Sequence, residues 1–451
     1  MIAPQYRLLF WVACLVVPFS FVAAIQPSTL LAAEIIIGGF LILAIADALS
    51  ARKRLDNIEV HLPEVIRITE NKEGLLLLKL ETKQPSNRRL RIGIGAPAEF
   101  KLPVEEFTTA LSKENRAYEV AIPCTPSRRG TYAIQAVHLE TGSPIGFWAF
   151  RKTFQVEAEV RVYPNIHKEQ KSLAALFLNR GMFGLHAQRQ VGKGKEFEKL
   201  RDYIPGDSYE DIHWKATAKR SHPVTKIFQI ERTQEIYVVL DASRLSSREI
   251  QTQSNGSPES PPTVLQLERF ITAALVLALV AEKQGDLFGL LTFHDKVHSF
   301  VRARNGKAHY AACRDALYSL QPKMVNPDFN ELNSFIRLRL RRRALLIFLT
   351  NLDDPVLAET FVQNLDVLTR HHLVLVNMLK TPVLAPVFSG EAVREADDLY
   401  RRLGGHLQFQ QLRELEQVLK RRGVAMNLLD NETMCSHLVS QYINVKRRQL
   451  L

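Results

Sequence analysis

The sequence predicts a multidomain protein with a two-helix transmembrane hairpin, an all-β sandwich and a doubly wound α/β domain. Two long apolar runs lie close together near the N-terminus, which is typical of a membrane hairpin. Short apolar alternations follow them, and continuous apolar strands alternate with helical patterns in the second half. We place the hairpin at 1–55, the sandwich at 56–165, a connecting segment at 166–234 and the α/β domain at 235–451.

The two apolar runs are each long enough to cross the hydrocarbon of a bilayer, which is ~30 Å thick. The first, 8–25, has no charged residue, and the second, 30–49, has Glu34 and Asp47 near its two ends. Only four residues, 26–29, separate the runs. We therefore expect two spans joined by a tight turn, and membrane lipid as a partner.

Basic residues outside the hairpin predict its orientation. Arg7 precedes the first run, and the basic triplet 52–54 follows the second. The positive-inside rule then places both termini and the soluble domains in the cytoplasm. The alternative is a cleaved signal peptide, because Arg7, an apolar run and the alanines 23–24 imitate one.

Charge and cysteine content exclude several classes of protein. The formal net charge is +12, which suits an anionic membrane surface or nucleic acid. The basic cluster 337–343 lacks interleaved aromatic residues, so we expect lipid rather than nucleic acid there. The four cysteines are far apart and have no zinc-ligand spacing. Scattered thiols of this kind are typical of a reducing compartment.

The β region is predicted from short apolar segments separated by turn residues, with no helical stretch between them. A small sandwich is the usual fold for such a pattern. The predicted strands are 74–80, 90–94, 118–122, 132–138, 154–156 and 159–163. In the connecting segment, 168–190 has a mixed helical pattern.

A charged segment with a tight turn and one tryptophan leads into the α/β domain. The residues that define it, called the signature here, are Phe197, Glu198, Leu200, Arg201, Tyr203, Pro205, Gly206, Asp207, Ile212, Trp214, Lys215 and Ala218. They resemble the signature of membrane-anchored bacterial proteins known as domain of unknown function 58. In that family the signature precedes a von Willebrand factor A-like domain of the Rossmann-type α/β class.

The signature predicts two local structures, a turn and a short helix. Pro205 and Gly206 predict a turn, because proline presets φ and glycine accepts a positive φ. His213 to Ala218 predicts a short helix, on which we expect Trp214 to anchor packing rather than to stack on a ligand. The charged residues of 199–220 form either a partner-facing array or an ion-pair lattice that fastens the segment to the next sheet, and we favour the lattice.

The α/β domain is predicted from apolar strands that alternate with helices, which implies a largely parallel sheet covered on both faces. The predicted strands are 235–241, 287–293, 297–301, 344–350, 372–378 and 424–429. The predicted helices are 263–284, 306–320, 328–340, 355–368, 391–420 and 432–445. We expect Gly404 and Gly405 to interrupt the fifth helix. Residues 251–262, part of an insertion at 244–262, are rich in serine and proline and predict a flexible loop.

The resemblance implies a metal site, and the sequence keeps only part of it. Von Willebrand A domains hold magnesium or manganese with an Asp-x-Ser-x-Ser loop, a threonine and a later aspartate. Here Asp241 and Ser243 match, but the third position is Leu245, no threonine occurs near 326–329 and the later position is Asn351. We expect no cofactor, with Asp241 as a hydrogen-bonded strand-end carboxylate. Magnesium or manganese at Asp241 and Ser243 is the alternative.

No motif of nucleotide hydrolysis, zinc proteolysis or nucleophilic-serine catalysis occurs. The resemblance implies an association with a MoxR-type AAA+ ATPase in a chaperone-like or cell-envelope role. We therefore expect a non-enzymatic membrane adaptor. The alternatives are a membrane-bound hydrolase that uses acids near Asp207, and a peptide-binding sensor that works without an ATPase.

Overall fold

The structure is a computed structural model that describes residues 1–26, 28, 30–52, 54–83, 87–104, 106–112, 114–179, 191–229, 234–251, 263–381 and 396–448. The chain divides into two compact units, Met1–Asn165 and Ile166–Leu451. Parts of three predictions lie outside the described residues: the end of the helical pattern at 180–190, the loop at 252–262 and the start of the helix at 391–395.

The described residues of the first unit form three helices and ten strands. In chain order they are β1 Ile2–Pro4, α1 Tyr6–Trp11, α2 Val17–Ile25, α3 Leu30–Ala51, β2 Ile58–His61, β3 Val65–Thr69, β4 Gly74–Thr82, β5 Arg88–Ile94, β6 Phe100–Lys101, β7 Phe107–Leu111, β8 Ala117–Pro126, β9 Gly130–Gly142 and β10 Trp148–Tyr163. A π-helical turn, Val12–Val16, joins α1 to α2. This turn precedes Pro18, which lacks the amide hydrogen of a regular helix, and π-turns are a common local adjustment in helices.

Two sheets form the β-rich part of this unit. One has the strand order β1-β10-β9-β5-β7, with β3 also paired to β10, and the other has the order β2-β4-β8-β6. Alternate residues of β4 are buried, as at Leu76 and Leu78. They belong to one hydrophobic cluster with Ile92 and Val160 of the other sheet. The alternation seen in the sequence therefore corresponds to one buried and one exposed face of each strand.

The predicted strands of this region are all present, with one change. The segments 154–156 and 159–163 form a single strand, β10, whose register against β9 shifts between Gln155 and Ala158. Such a bulge interrupts the alternation of side chains, which is why the sequence pattern reads as two strands. Strand β1 pairs with β10 and was not predicted, because three residues carry no periodicity.

One helix of the described residues is long and apolar enough to cross a membrane, at Leu31–Ala51. It corresponds to the second predicted span. The first predicted span is a shorter apolar helix, Tyr6–Val22. A second crossing therefore stays a prediction.

Asp47 of α3 does not project from the helix as a free charge. It is buried, and its carboxylate accepts hydrogen bonds from Ser143 Oγ (2.5 Å) and from the backbone amides of Ile145 (3.1 Å) and Phe147 (3.3 Å). The indole of Trp148 donates to the carbonyl of Ala44, one turn earlier in α3 (2.9 Å). The turn between β9 and β10 is thus fastened to the apolar helix by its own backbone amides.

The second unit begins with a helix and continues into the α/β domain. Its elements are α4 His167–Asn179, β11 Val191–Asp202, α5 Trp214–Arg220, β12 Val224–Gln229, β13 Glu235–Asp241, β14 Glu249–Gln251, β15 Thr263–Leu265, α6 Gln266–Lys283, β16 Leu287–Phe293, β17 Val297–Arg304, α7 Lys307–Leu317, α8 Phe329–Arg339, β18 Leu345–Leu349, α9 Pro355–His371, β19 Leu373–Leu379, α10 Ala396–Arg421, β20 Ala425–Leu429 and α11 Met434–Arg447. The predicted strands and helices of this domain therefore occur where the apolar pattern places them.

The central sheet has the order β17-β16-β13-β18-β19-β20, in which only β17 is antiparallel. Successive residues of β13 face opposite sides. Val238 packs in a cluster with α6, α7 and α11, whereas Val239 packs in a cluster with α8, α9 and α10. This is the predicted doubly wound arrangement. The strand order reverses direction between β13 and β18, which makes the carboxyl ends of these strands the place where such sheets bind ligands.

The prediction that Gly404 and Gly405 interrupt the fifth helix is wrong, because α10 runs without a break. Each glycine costs a helix only about 1 kcal/mol relative to alanine. Leu412 and Leu419 are buried in the core and hold the helix against the sheet. Tertiary packing outweighs the local preference of the two glycines.

Candidate functional site

The first candidate site is the switch-point crevice, which we define as the loops that follow β13 and β18. Asp241 ends β13 and is fully buried. Its Oδ1 accepts from the amide of Ser243 (2.8 Å), and its Oδ2 accepts from the hydroxyl of Thr350 (2.6 Å), which follows β18. Both carboxylate oxygens are therefore already hydrogen-bonded within the chain.

Burial raises the pKa of Asp241, while the hydrogen bonds from Thr350 and Ser243 act in the opposite direction. Ser243 uses its own oxygen to accept from the amide of Leu245 (3.3 Å) at the start of a 3₁₀ turn. Ser246 donates to the main-chain carbonyl of Asp241 (2.5 Å). The serines of this loop thus stabilise the turn itself.

Two arginines link the loops of the crevice. Arg248 forms an ion pair with Asp353, and Arg244 contacts Asp354 (3.5 Å) and hydrogen-bonds Asn326. Asn351 is buried and donates to Gln266 (2.8 Å). These contacts join the loop after β13 to the loop after β18 by guanidinium groups. Sequence reasoning did not find them, since the pairs are far apart in the chain.

The residues of the crevice do not fit the ligand set of a metal-bearing A domain. Both oxygens of Asp241 have internal partners, Leu245 is buried at the third loop position, and position 351 has the neutral amide of Asn351 in place of a carboxylate. Hard divalent cations need several oxygen ligands that are free to coordinate. Thr350, which the sequence analysis did not single out, holds Asp241 in place. A hydroxyl directly after a parallel strand beside an aspartate is the signal that identifies it.

A separate group of potential metal ligands, Glu59, His61 and Glu81, lies on the exposed surface of the first unit. Glu59 forms an ion pair with Lys83 (2.7 Å), and that hydrogen bond lowers its pKa. Exposed groups of this kind occur without an ion, so we assign no site here.

The second candidate site is the signature hairpin, which we define as residues 191–229. Strands β11 and β12 pair antiparallel. Ile212, in the segment that connects them, forms an isolated bridge to Thr225 of β12. This pairing is not evident from the sequence, because β11 carries many charged residues and β12 is only six residues long. Side chains of Phe197 and Glu198 lie outside the described part, whereas Leu200 and the later signature residues are described.

Asp207 organises the turn of this hairpin. Its carboxylate accepts from the amide of Ile204 (3.1 Å), from Arg201 (2.7 Å) and from Thr225 (3.4 Å). These hydrogen bonds and the charge of Arg201 lower the pKa of Asp207. Gly206 takes the positive φ, +110°, that the sequence predicted for the turn. Asp207 therefore holds the turn closed as a charged acceptor.

The short helix α5 presents the rest of the signature to solvent. His213 caps its N-terminus by accepting from the amide of Ala216 (3.0 Å). Trp214 is 68% exposed, and Lys215 and Ala218 are exposed too. Its own hairpin therefore does not cover Trp214, and the expectation that this residue anchors packing between domains stays a prediction. A seven-residue helix on a two-stranded hairpin has too little core to cover an indole ring.

The predicted ion-pair lattice is also absent from the described part of the signature. The ion pairs that this part of the chain does form join Arg201 to Asp207 and His222 to Asp202 (2.9 Å). Both pairs lie within the hairpin. Lys215, Lys219 and Arg220 are exposed. Most of the positive charge of α5 is thus available to a partner.

The fold defines this unit as a doubly wound α/β domain preceded by a charged hairpin. The model of the family described as "Protein of unknown function DUF58" matches residues 199–382 and confirms the resemblance indicated by the signature. This segment of the chain is a DUF58 segment.

A curated relative is "Uncharacterized protein YeaD" of Bacillus subtilis (strain 168), which is 25% identical over 113 residues, 25% of this chain. The match spans only 28% of that relative's length.

Solved structures with similar folds include an aerotolerance-related membrane protein from Bacteroides fragilis NCTC 9343 (14% identity, TM-score 0.28, 47% of this chain and 98% of that one). Others are the conserved hypothetical protein BatB from Bacteroides thetaiotaomicron (17%, 0.29, 48% and 99%) and the VWA domain of SpRpn10 (10%, 0.28, 46% and 95%). These low TM-scores carry no argument about activity or partners.

Proposed function

We propose that this chain is a non-enzymatic, membrane-anchored adaptor whose signature hairpin and von Willebrand A-like domain bind a protein partner. The observation that carries the proposal is the exposure of Trp214 on α5, beside the exposed Lys215. Tryptophan is enriched at the energetic centres of protein interfaces, where its burial by a partner is strongly favourable. An exposed tryptophan in a basic helix suits a partner with an acidic surface.

The partner in this proposal is a MoxR-type AAA+ ATPase, and the role is chaperone-like or in the cell envelope. This part rests on the family resemblance alone. The proposal also includes a two-helix hairpin that spans the inner membrane, soluble domains in the cytoplasm, and a sandwich formed by the two sheets of the first unit. Nucleic acid is not part of it.

Affinity capture tests the adaptor role. Full-length chain in gentle detergent is used as bait with and without an ATP analogue, and captured proteins are identified by mass spectrometry. We expect an AAA+ ATPase whose recovery depends on nucleotide and falls at least about tenfold with Trp214→Ala, since a central interface tryptophan contributes roughly 2 kcal/mol or more. Tyr400→Ala is the matched control, because Tyr400 is 72% exposed on α10. Capture without any ATPase in either condition contradicts the proposal.

The hydrolase alternative depends on Asp207. A catalytic acid or base needs a pKa near the working pH and an oxygen free to reach the substrate. The pKa of Asp207 is lowered, and its oxygens are held by Ile204, Arg201 and Thr225. This network supports a structural role for the carboxylate. A turnover that is lost with Asp207→Asn, while folding is unchanged, would favour the hydrolase.

The peptide-sensor alternative differs from the adaptor in needing no ATPase. A peptide captured equally well with and without nucleotide, with no ATPase present, would favour the sensor. Neither alternative is supported by an observation as specific as the exposure of Trp214.

We further propose that the switch-point crevice works without a resident metal ion. The internal hydrogen bonds of Asp241 and the ion pair of Arg248 with Asp353 support this, because they occupy the groups that a cation would need. Titration calorimetry of the full-length chain with magnesium and with manganese tests it. Micromolar binding that Asp241→Ala abolishes would contradict the proposal.

A further inference from the structure

The amino edge of the central sheet in the second unit gathers the C-terminal ends of its helices. Helices α6, α8, α9 and α10 each end a few residues before the strand that follows them, so their last turns lie at the start of the strands. Helix α11 ends at the same edge, because Lys446 donates to the carbonyl of Gln284 (3.1 Å) and forms an ion pair with Asp286 (2.7 Å). The antiparallel strand β17 adds Arg304, which is paired with Phe288 at the start of β16.

Basic side chains dominate this edge, which we call the basic edge. They are Lys283, Arg302, Arg304, Lys307, Arg337, Arg339, Arg341, Arg342, Arg343, Arg370, Lys420, Arg421, Arg422, Lys446, Arg447 and Arg448, all exposed or half-buried. Among the described residues, the acidic side chains there include Glu235, Glu282, Asp286, Asp366 and Glu416. Three of these acids already form ion pairs: Glu235 with Arg342, Asp286 with Lys446, and Asp366 with Arg422. The edge therefore keeps a large positive excess.

Helix dipoles explain only part of this charge. A cation in the last turn of a helix is favourable, but the effect is confined to that turn. The run from Arg341 to Arg343 lies beyond the end of α8, and Arg302 and Arg304 lie on a strand. In the last turn of α8, just before this run, the apolar residue Leu338 is 76% exposed between Arg337 and Arg339. Exposed apolar side chains among basic residues are typical of surfaces that settle at the headgroup level of a bilayer.

We propose that the basic edge binds the anionic headgroups of a phospholipid bilayer, with Leu338 inserted among them. The charge is complementary to anionic lipid, and the attraction falls off within a Debye length, so it requires a surface that is close by. Nucleic acid fits less well, because the exposed large hydrophobic residues of this edge in the described part of the chain include no aromatic ring on which bases stack. The inference rests on the membrane location in the proposed function and is independent of any protein partner.

This orientation has a consequence for the carboxyl edge. The two edges of a parallel sheet are at opposite ends of its strands, so lipid at the amino edge leaves the switch-point crevice turned away from the bilayer. Asp353 and Asp354 with their arginines would then face the cytoplasm. The basic edge thus determines which side of the domain a soluble partner meets.

An environment-sensitive dye on the full-length chain tests the proposal. The background variant is Cys14→Ser, because Cys14 is the exposed cysteine, and the dye is attached at Leu338→Cys or at Val356→Cys. Val356 is the matched control, since it is 71% exposed at the start of α9 on the opposite edge. The protein is inserted in nanodiscs of phosphatidylcholine alone or of phosphatidylcholine with phosphatidylglycerol.

We expect a blue shift and a rise in emission at position 338 only in discs with phosphatidylglycerol, reversed by high salt. The charge-removing pair Arg337→Gln with Arg341→Gln abolishes the response. Lys296→Gln with Lys380→Gln, which removes the same charge from the carboxyl edge, leaves it intact. These outcomes are independent of ATPase capture, so the adaptor proposal and this inference fail separately.

Three results would overturn the inference. One is an equal signal at position 338 in both kinds of disc, and another is the same phosphatidylglycerol response at position 356. The third is a shift at position 338 that RNA produces in phosphatidylcholine discs while phosphatidylglycerol produces none, which would assign the edge to nucleic acid.

Discussion

Asp241 shows how a strand-end carboxylate is used as an internal acceptor. It is fully buried and accepts from Ser243 and Thr350, so its removal leaves two donors without a partner. We expect Asp241→Ala to cost about 2–4 kcal/mol, since each buried unsatisfied group costs about 1–3 kcal/mol. The apparent Tm would fall by roughly 5–10 °C. Asp241→Asn, which keeps the shape, serves as the control and should cost much less. A fall in the wild-type Tm on adding a chelator would contradict this account.

Asp241 also makes the stability of the fold depend on pH. Burial raises the pKa of Asp241 in the folded chain, so the folded state binds this proton more tightly than the unfolded state does. Its contribution to stability is therefore present below the ordinary aspartate pKa and is lost as the pH rises through the folded-state value. The side-chain amide of Asp241→Asn does not titrate, so this variant does not lose stability over that pH range. We expect the Tm of Asp241→Asn minus that of wild type to increase with pH, and a constant difference would refute it.

Asp47 is a buried acid in a largely apolar helix, and its partners are on a turn of the β-rich part. Asp47→Ala would leave Ser143 and the amides of Ile145 and Phe147 without their acceptor. We expect hydrogen exchange in the turn 143–148 to accelerate by at least about tenfold, equivalent to a loss of roughly 1.4 kcal/mol or more. Glu34→Ala is the control, because Glu34 is exposed on the same helix. Unchanged exchange in both variants would show that the turn is held by other contacts.

At the scale of elements, two glycines have opposite expected effects. Gly206 has φ +110° in the turn of the signature hairpin, where a side chain is strained. Gly404 lies in α10, where an added Cβ meets nothing within 4 Å. We expect Gly206→Ala to cost about 1–2 kcal/mol and to speed exchange in β11 and β12. Gly404→Ala should stabilise α10 by about 0.5–1 kcal/mol and slow its exchange. Effects of the same sign would contradict the roles assigned to these positions.

The helices and strands of the α/β domain were predicted well because each depends on local periodicity. Val238 and Val239, which face opposite sides of β13, belong to a continuous apolar run of the kind that indicates a parallel sheet buried on both faces. The pairing of β11 with β12 was missed, since charged residues hide the alternation. The exposure of Trp214 was missed for a related reason: hydrophobicity predicts burial, but it does not reveal how much core surrounds a short helix.

At the scale of the whole molecule, the contacts that define the sites join distant parts of the chain. Thr350 and Asp241 are 109 residues apart, and Ser143 and Asp47 are 96 residues apart. Spacing along the sequence does not identify such partners without the sheet order that brings them together. The sequence therefore predicted the crevice at the end of β13 and a hydrogen-bonded Asp241, but not that Thr350 is one of the donors to its carboxylate.

The reactivity of cysteine thiols can be used to measure on which side of the membrane each part of the chain lies. Burial raises the pKa of Cys124 to about 11 and of Cys313 and Cys435 to about 12, so these thiols should not react in the native chain. With Cys14→Ser as background, a new cysteine is then the only reactive one. Ser28→Cys lies between the two apolar helices, and Lys219→Cys lies on α5.

The proposed topology makes these two positions differ. The proposed topology puts Arg7 and Arg52 on the cytoplasmic side of the hairpin. We therefore expect an impermeant maleimide to label position 28 in intact spheroplasts and position 219 only after permeabilisation. A signal peptide cleaved at the alanines 23–24 would instead leave position 28 in a shortened mature chain, which intact-mass measurement detects. Labelling of position 219 in intact spheroplasts would place the soluble domains outside the cytoplasm. An ATPase partner on the cytoplasmic side would then be out of reach, so this result also decides whether the adaptor role is physically available to the chain.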